Sequence, residues 1–211
     1  MTRTTAIVCG AIAAAAALGL TGCGASAGKP AAASSAPAAK CPDAWRPGWQ
    51  KLSDRVGFGV YCPAWVPSPL TARIGGRWST GVSVGRKDRS YLAGFIWFER
   101  GSGEVHINLR GYPHRTRVPA CVTTEQVGKK QVRKTLPCFA DRKGTKEIGR
   151  TRVTLYTVNR DADQWHLLYL WRRAGSLYTL SEHVAPPYSY RRVLKNLDRM
   201  VRNLVLIEPS G

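Results

Sequence analysis

Two apolar runs and the turn between them decide the fold: WHLLYLWRRAGSLYTLSEHV, at positions 165–184. The runs at 165–171 and 177–184 are dense in aromatic and aliphatic side chains, which favour strands. Between them, Ala, Gly and Ser at 174–176 are small residues that suit a tight turn. Strands joined by so short a connection run antiparallel. The stretch therefore predicts an antiparallel hairpin.

The segments before this hairpin repeat the pattern of strand and turn. Residues 91–99 are an apolar run, and Gly-Ser-Gly at 101–103 turns the chain into 104–110, where apolar and polar residues alternate. Further strands are predicted at 77–86, 118–123, 135–140 and 149–158. About eight strands with short connections favour a meandering antiparallel sheet.

A long amphipathic helix is predicted after the hairpin. Ser189 is placed to cap its start, and apolar residues recur at the helical period from Tyr190 to Leu204. A second, short helix is predicted at 49–56. The fold class is therefore α+β in two layers, with the antiparallel sheet packed against the C-terminal helix and a short N-terminal helix.

The N-terminus has the features of an export signal. Arg3 is followed by an apolar stretch at 6–20, which is shorter than the roughly 20 residues that span a bilayer. The stretch ends in LTGC at 20–23, which resembles the lipobox of bacterial lipoproteins. In that family the cysteine is diacylated and the peptide is cut just before it. The resemblance implies that Cys23 anchors the chain at the extracytoplasmic face of the cell membrane.

With this leader, the chain is predicted to have three regions. Residues 1–22 are the lipoprotein signal peptide, and residues 23–40 are the lipidated cysteine with a tether of Ala, Ser, Gly and Pro. Such a composition cannot offset chain entropy by burial. Residues 41–211 are then a single disulfide-braced domain.

The cysteine count predicts two disulfides. Cys9 lies in the leader and Cys23 carries the lipid, which leaves Cys41, Cys62, Cys121 and Cys138. An even number in an exported chain favours disulfides, and four cysteines allow three connectivities. We predict the pairing that is local in sequence, the first with the second and the third with the fourth. These spacings are too wide for the close cysteine pairs of a zinc site.

The C-terminal part of the chain has a second resemblance. It consists of VTLY at 153–156, WHLLYLW at 165–171, GSLYTLS at 175–181 and a helix that ends in MVRNL at 200–204. This order is similar to that of uncharacterised actinobacterial lipoproteins and of an envelope domain of unknown function, found at the outer ends of some envelope proteins and sigma-factor regulators. The resemblance implies the same fold class and location and carries no catalytic residues.

The charge points to an anionic partner. The chain has 32 Lys and Arg against 13 Asp and Glu, a formal net charge of +19, and removal of the leader takes away only Arg3. Near a membrane, each basic residue adds about 1 kcal/mol of attraction to an anionic leaflet. The candidate contact residues are Lys129, Lys130, Arg133, Lys134, Arg191, Arg192, Lys195, Arg199 and Arg202. Further basic clusters lie at 142–146 and 172–173.

Two interpretations of this charge stay open. The basic residues bind anionic phospholipids or wall polymers, or they form a solvated surface that keeps the protein soluble. Nucleic acid is not the expected partner, because no binding motif is present and genomic DNA lies elsewhere. We expect a monomer that contacts the membrane through its N-terminal lipid.

Two short strings match functional patterns by letter. GVSVG at 81–85 fits the G-x-S-x-G of hydrolases, but a strand pattern surrounds it where that motif needs a strand followed by a helix. NRDAD at 159–163 has the alternating oxygen ligands of a calcium loop, but Gln164 and Leu170 replace its glycine and glutamate. We therefore predict a strand and a turn, with no bound metal or other cofactor.

The function expected from the sequence is that of a binding or structural module for anionic envelope components. The four histidines are not spaced as metal-binding pairs and are predicted to be packed or solvated. The alternative is a hydrolase-like enzyme of the cell envelope, whose active site would have to assemble from distant residues. Its candidates are Glu99, His106, Arg110 and Tyr156.

Overall fold

Two helices and ten strands lie within the residues that the computed structural model of the chain describes, which are 38–68, 84–85, 87–159 and 165–211. In chain order they are α1 (Arg46–Val56), β1 (Val60–Pro63), β2 (Tyr91–Glu99), β3 (Gly103–Tyr112), β4 (Ala120–Val127), β5 (Lys130–Pro137), β6 (Asp141–Ile148), β7 (Thr151–Val158), β8 (His166–Arg173), β9 (Ser176–His183), α2 (Tyr190–Arg202) and β10 (Leu204–Ile207). Each two strands that are hydrogen-bonded to each other run antiparallel. The predicted α+β class is confirmed.

Six strands form one sheet in the order β2-β3-β9-β8-β7-β6. The sequence prediction missed its edge strand β6, because the sequence DRKGTKEI has no apolar alternation and only Ile148 is buried. An edge strand needs backbone pairing on one side only, and charged side chains there discourage pairing with another chain. The predicted strand at 77–86 lies outside the described residues, apart from Val84 and Gly85.

The two sides of this sheet bear different layers. The helix side is the one that carries Ile107, Tyr169 and Leu180, which belong to the large core shared with both helices. The far side carries Leu168 and Leu170, which belong to a smaller cluster. The side chains of a strand alternate between the two sides, so each strand of the sheet contributes to both.

Helix α2 confirms the predicted amphipathic pattern. The Ser189 hydroxyl accepts a hydrogen bond from the backbone N–H of Arg192, which caps the helix start. The buried residues on its inner face are Val193, Leu197, Met200 and Val201. The helix ends earlier than predicted, because Leu204 begins the short strand β10.

The N-terminal segment is fastened to the same core. Helix α1 begins at Arg46, before the predicted start, because Pro47 occupies the first turn, where proline is tolerated. Strand β1 pairs with β10 in a separate two-stranded sheet. The disulfide between Cys41 and Cys62 joins the segment before α1 to β1, as the sequence predicts.

The β4–β5 hairpin corrects the expectation of one continuous meander. Its two strands pair only with each other in the part of the chain that the structure describes, and all of their residues are exposed or half-buried. The disulfide between Cys121 and Cys138 closes it, and this second predicted pairing is also confirmed. The strands extend further toward Gly128 than predicted, because the added residues, 124–127 and 130–134, are mostly polar or charged.

Candidate anion-binding surface

The five predicted cations of α2 form one stripe. An α-helix turns by about 100° per residue, so positions 191, 192, 195, 199 and 202 fall within about 100° of the helix circumference. The buried face lies on the opposite side of the helix. All five side chains are exposed. The residues of this α2 stripe are Arg191, Arg192, Lys195, Arg199 and Arg202.

The α2 stripe is not neutralised by the carboxylates that the structure describes. None of its five cations makes an ion pair with a described residue. The acidic residue of the helix, Asp198, accepts a hydrogen bond from the Tyr169 hydroxyl at 2.6 Å and pairs with Lys146 at 2.6 Å. Its charge is therefore balanced from the sheet side rather than by the stripe.

Two members of the stripe are held in place by aromatic rings. The guanidinium of Arg199 lies 4.2 Å from the ring centre of Trp65, and that of Arg192 lies 5.0 Å from the ring centre of Tyr188. A cation over an aromatic face is attracted by the ring quadrupole without losing its charge. These contacts order the stripe and keep it positive.

The other predicted cations lie on a separate element. Lys129 is in the turn of the β4–β5 hairpin, and Lys130, Arg133 and Lys134 are on β5. Lys134 pairs with Glu125 of β4 at 2.5 Å. Neighbouring residues of a strand point to opposite faces, so these cations do not share one face as the α2 stripe does.

A second basic feature, which we call the arginine depression, lies on the far side of the sheet. It has a volume of about 410 Å³, and its lining includes Arg142, Thr145, Arg152, Thr154 and Arg172. The sequence marked the clusters at 142–146 and 172–173 but not their convergence. Three different strands supply the arginines, so no local pattern could reveal the site.

Comparisons with protein-family models, curated proteins and solved structures give no match for this chain. Function therefore rests on geometry and charge. Among the described residues, no helix is both long and apolar enough to cross a membrane. Cys23, the predicted lipid site, lies outside the described residues.

Three histidines that are distant in sequence meet on the far side. The ring centres of His106 and His166 are 4.6 Å apart, and those of His166 and His183 are 5.0 Å apart in a stacked arrangement. Burial, followed by the proximity of His106, lowers the pKa of His183. Sequence spacing could not predict this cluster, because the three residues come from β3, β8 and β9. The described residues contain no group of three His, Cys, Asp or Glu side chains suited to a metal.

An apolar cavity of about 560 Å³ opens beside His166, within the size range of small-molecule pockets. Phe139, Val158 and Val184 are among its walls. Asp141 lies at the cavity, and hydrogen bonds from the Thr157 hydroxyl and from Lys143 lower the pKa of its carboxyl group. None of the nine predicted cations is among its described lining residues.

The candidate catalytic residues do not all lie on one side of the sheet, because His106, Arg110 and Tyr156 are on the far side and Glu99 is on the helix side. Glu99 shares the helix side with Trp97, whose indole N–H donates to it at 3.0 Å, and it also accepts a hydrogen bond from the Tyr188 hydroxyl. His106 lies on the other side of the sheet, since the residue after it, Ile107, belongs to the helix-side core. The proposed grouping is therefore wrong for Glu99. The hydrolase-like and calcium-like strings lie outside the described residues, apart from Val84, Gly85 and Asn159.

Proposed function

We propose that the chain is a lipid-anchored extracytoplasmic protein that binds anionic envelope surfaces through the α2 stripe. The observation that carries this proposal is the placement of five exposed cations in one arc of one helix, with none paired to a described carboxylate. A surface that only kept the protein soluble would not require its cations to lie together on one face of a helix. Mixed charges spread over the surface would serve solubility as well.

Electrostatics and the anchor reinforce each other in this proposal. A cation near an anionic leaflet contributes about 1 kcal/mol, and the attraction decays over a Debye length of about 8–10 Å. In this proposal, residues 24–40 link the lipid to the domain. The lipid thus keeps the domain where a modest surface affinity is sufficient for contact.

The shape of the stripe favours an extended partner. It runs along the outer face of a helix, so it can meet a plane or chain of repeated charges. Phospholipid head groups and anionic wall polymers both present charge in this form. The nucleic-acid alternative has neither a recognition motif nor a suitable location.

Removing three charges from the stripe should abolish most of this binding. In a form of the chain that begins at residue 24, Arg191→Gln, Lys195→Gln and Arg202→Gln together should weaken binding to anionic vesicles about 100-fold, since about 1 kcal/mol is lost per cation. Co-sedimentation at fixed ionic strength measures the affinity, and neutral vesicles should bind neither form.

The β4–β5 hairpin provides a control with the same change in charge. Lys129→Gln, Lys130→Gln and Arg133→Gln together remove three cations that do not lie on the stripe. We expect these changes to weaken vesicle binding much less. Equal losses in the two triple variants would show that net charge alone matters and would refute the stripe.

The anchor itself is tested by Cys23→Ala. We expect this variant to lose the label from a radioactive fatty acid, because no thiol remains at the lipobox position, and to keep its leader. Labelling in growing cells followed by purification measures both properties. Retention of the label would contradict lipidation at Cys23.

A further inference from the structure

The arginine depression combines three guanidinium groups with two hydroxyl groups. Arg142 comes from β6, Arg152 from β7 and Arg172 from β8. Thr145 and Thr154, which are paired across β6 and β7, supply the hydroxyls of the lining. Adjacent strands of a rigid sheet thus fix the spacing of the donors.

Two of these arginines lie beyond the paired part of β7 and β8. The β7–β8 register ends at Thr154 and Leu170, and Arg152 and Arg172 are the next residues of these strands on the same side of the sheet. Glu147 lies across from Arg152 on β6, with 3.8 Å between carboxylate and guanidinium. One carboxylate beside three guanidiniums leaves two positive charges, as a doubly charged anion would require.

Hydrogen bonds to the protein orient two of the guanidiniums. Nε of Arg172 donates to the backbone carbonyl of Thr116 at 2.7 Å. Nη2 of Arg142 donates to the hydroxyl of Thr145 at 2.7 Å. A guanidinium has five N–H donors in a planar fork, so anchoring one donor leaves others for a ligand. Such preorganisation reduces the entropy that is lost on binding.

We infer that the arginine depression is a stoichiometric site for a phosphate monoester or for phosphate itself. A dianion of this kind matches the two uncompensated charges, and arginine forks bind phosphate oxygens in pairs. The site goes beyond the proposed function and does not depend on it. The depression lies on the far side of the sheet, whereas α2 packs on the helix side.

Binding of inorganic phosphate tests the site directly. The probe is phosphate observed by ³¹P NMR, added at constant ionic strength to the full-length protein in a neutral detergent. We expect saturable one-to-one binding, and Arg172→Gln should raise the Kd at least tenfold, because it removes charge-assisted hydrogen bonds. Arg142→Gln should have a similar effect on the Kd, and it replaces Arg172→Gln as the test if that variant does not fold.

Arg100→Gln is the matched control, because it removes one exposed charge just after β2, at the opposite edge of the sheet from β6. We expect it to leave the phosphate Kd within twofold of the original value. An unchanged Kd in both depression variants, or an equal loss in the control, would overturn the inference. The stripe triple variant should still bind phosphate even where it no longer binds vesicles, so the two proposals fail separately.

Vesicles distinguish the possible sources of the phosphate. Phosphatidic acid presents a monoester, whereas phosphatidylglycerol presents a diester, and the two can be compared at equal surface charge. A preference for phosphatidic acid that Arg172→Gln removes would support the site and assign it to a lipid head group. Saturable phosphate binding without this preference would support it as a site for a soluble ligand.

Discussion

Glu182→Gln is expected to stabilise the domain by on the order of 4 kcal/mol at pH 9 and to change it little at pH 4. The Glu182 side chain is fully buried on the helix side of β9. One carboxyl oxygen accepts a hydrogen bond from the Asn196 amide of α2 at 2.7 Å. The other oxygen is buried and accepts no hydrogen bond from a described residue. A carboxylate in this position would be expensive, so the protonated form is favoured.

The sign of the pH dependence follows from the pKa. Burial raises the pKa of Glu182 from 4.5 to about 8, although the Asn196 hydrogen bond and the charge of Arg192 oppose this rise. Between these two values the folded state binds more protons than the unfolded state does. The free energy of unfolding should therefore fall as pH rises from about 4.5 to 8, by about 1.4 kcal/mol for each step of one in pH. Glutamine mimics the protonated acid and removes this loss.

Urea unfolding at a series of pH values measures the effect. The lowered pKa of His183 acts in the opposite sense, because the unfolded chain gains its proton first as pH falls below about 6.5. That loss at acid pH occurs in both proteins, so their difference isolates Glu182. Glu147→Gln on the exposed edge strand is the control, and it should keep the pH dependence of the original chain, because it retains Glu182. Parallel stability curves for the original chain and Glu182→Gln would show that the buried group is not protonated.

The elements that were predictable from the sequence are those with a strong local pattern. The run at 91–99 predicts a strand with the observed bounds, because its side chains are mainly aromatic and aliphatic. The helix after Ser189 was equally clear, since its apolar residues follow the helical period through Val201. Both disulfides were predicted because export and sequence proximity favour the same pairing.

The missed features depend on contacts between distant parts of the chain. Strand β6 is stabilised by backbone pairing with β7, which its charged side chains do not reveal. Strand β10 follows α2 with only Asn203 between them, so its apolar residues looked like a continuation of the helix. The histidine cluster and the arginine depression arise from the sheet order, which places β3, β9, β8, β7 and β6 side by side.

Removing the two disulfides one at a time should give different results despite similar loop lengths. The cysteines are separated by 21 positions in the Cys41–Cys62 bridge and by 17 in the Cys121–Cys138 bridge. Loop entropy alone therefore predicts a loss of about 3 kcal/mol for either one. The two bridges differ in their place in the fold, because Cys41 and Cys62 are fully buried in the helix-side core.

The Cys41→Ala, Cys62→Ala double variant should lose at least about 3 kcal/mol of global unfolding free energy, because released chain entropy and lost core packing act together. Cys121→Ala with Cys138→Ala should instead loosen the β4–β5 hairpin, whose strands pair with each other rather than with the six-stranded sheet. Urea unfolding measures the global free energy of unfolding, and amide hydrogen exchange shows which strands open. Equal global losses in the two variants, or protection lost across β8 and β9 when the hairpin bridge is removed, would contradict this division. Exchange confined to β4 and β5 would mean that the hairpin opens independently, while the core that carries the α2 stripe stays folded.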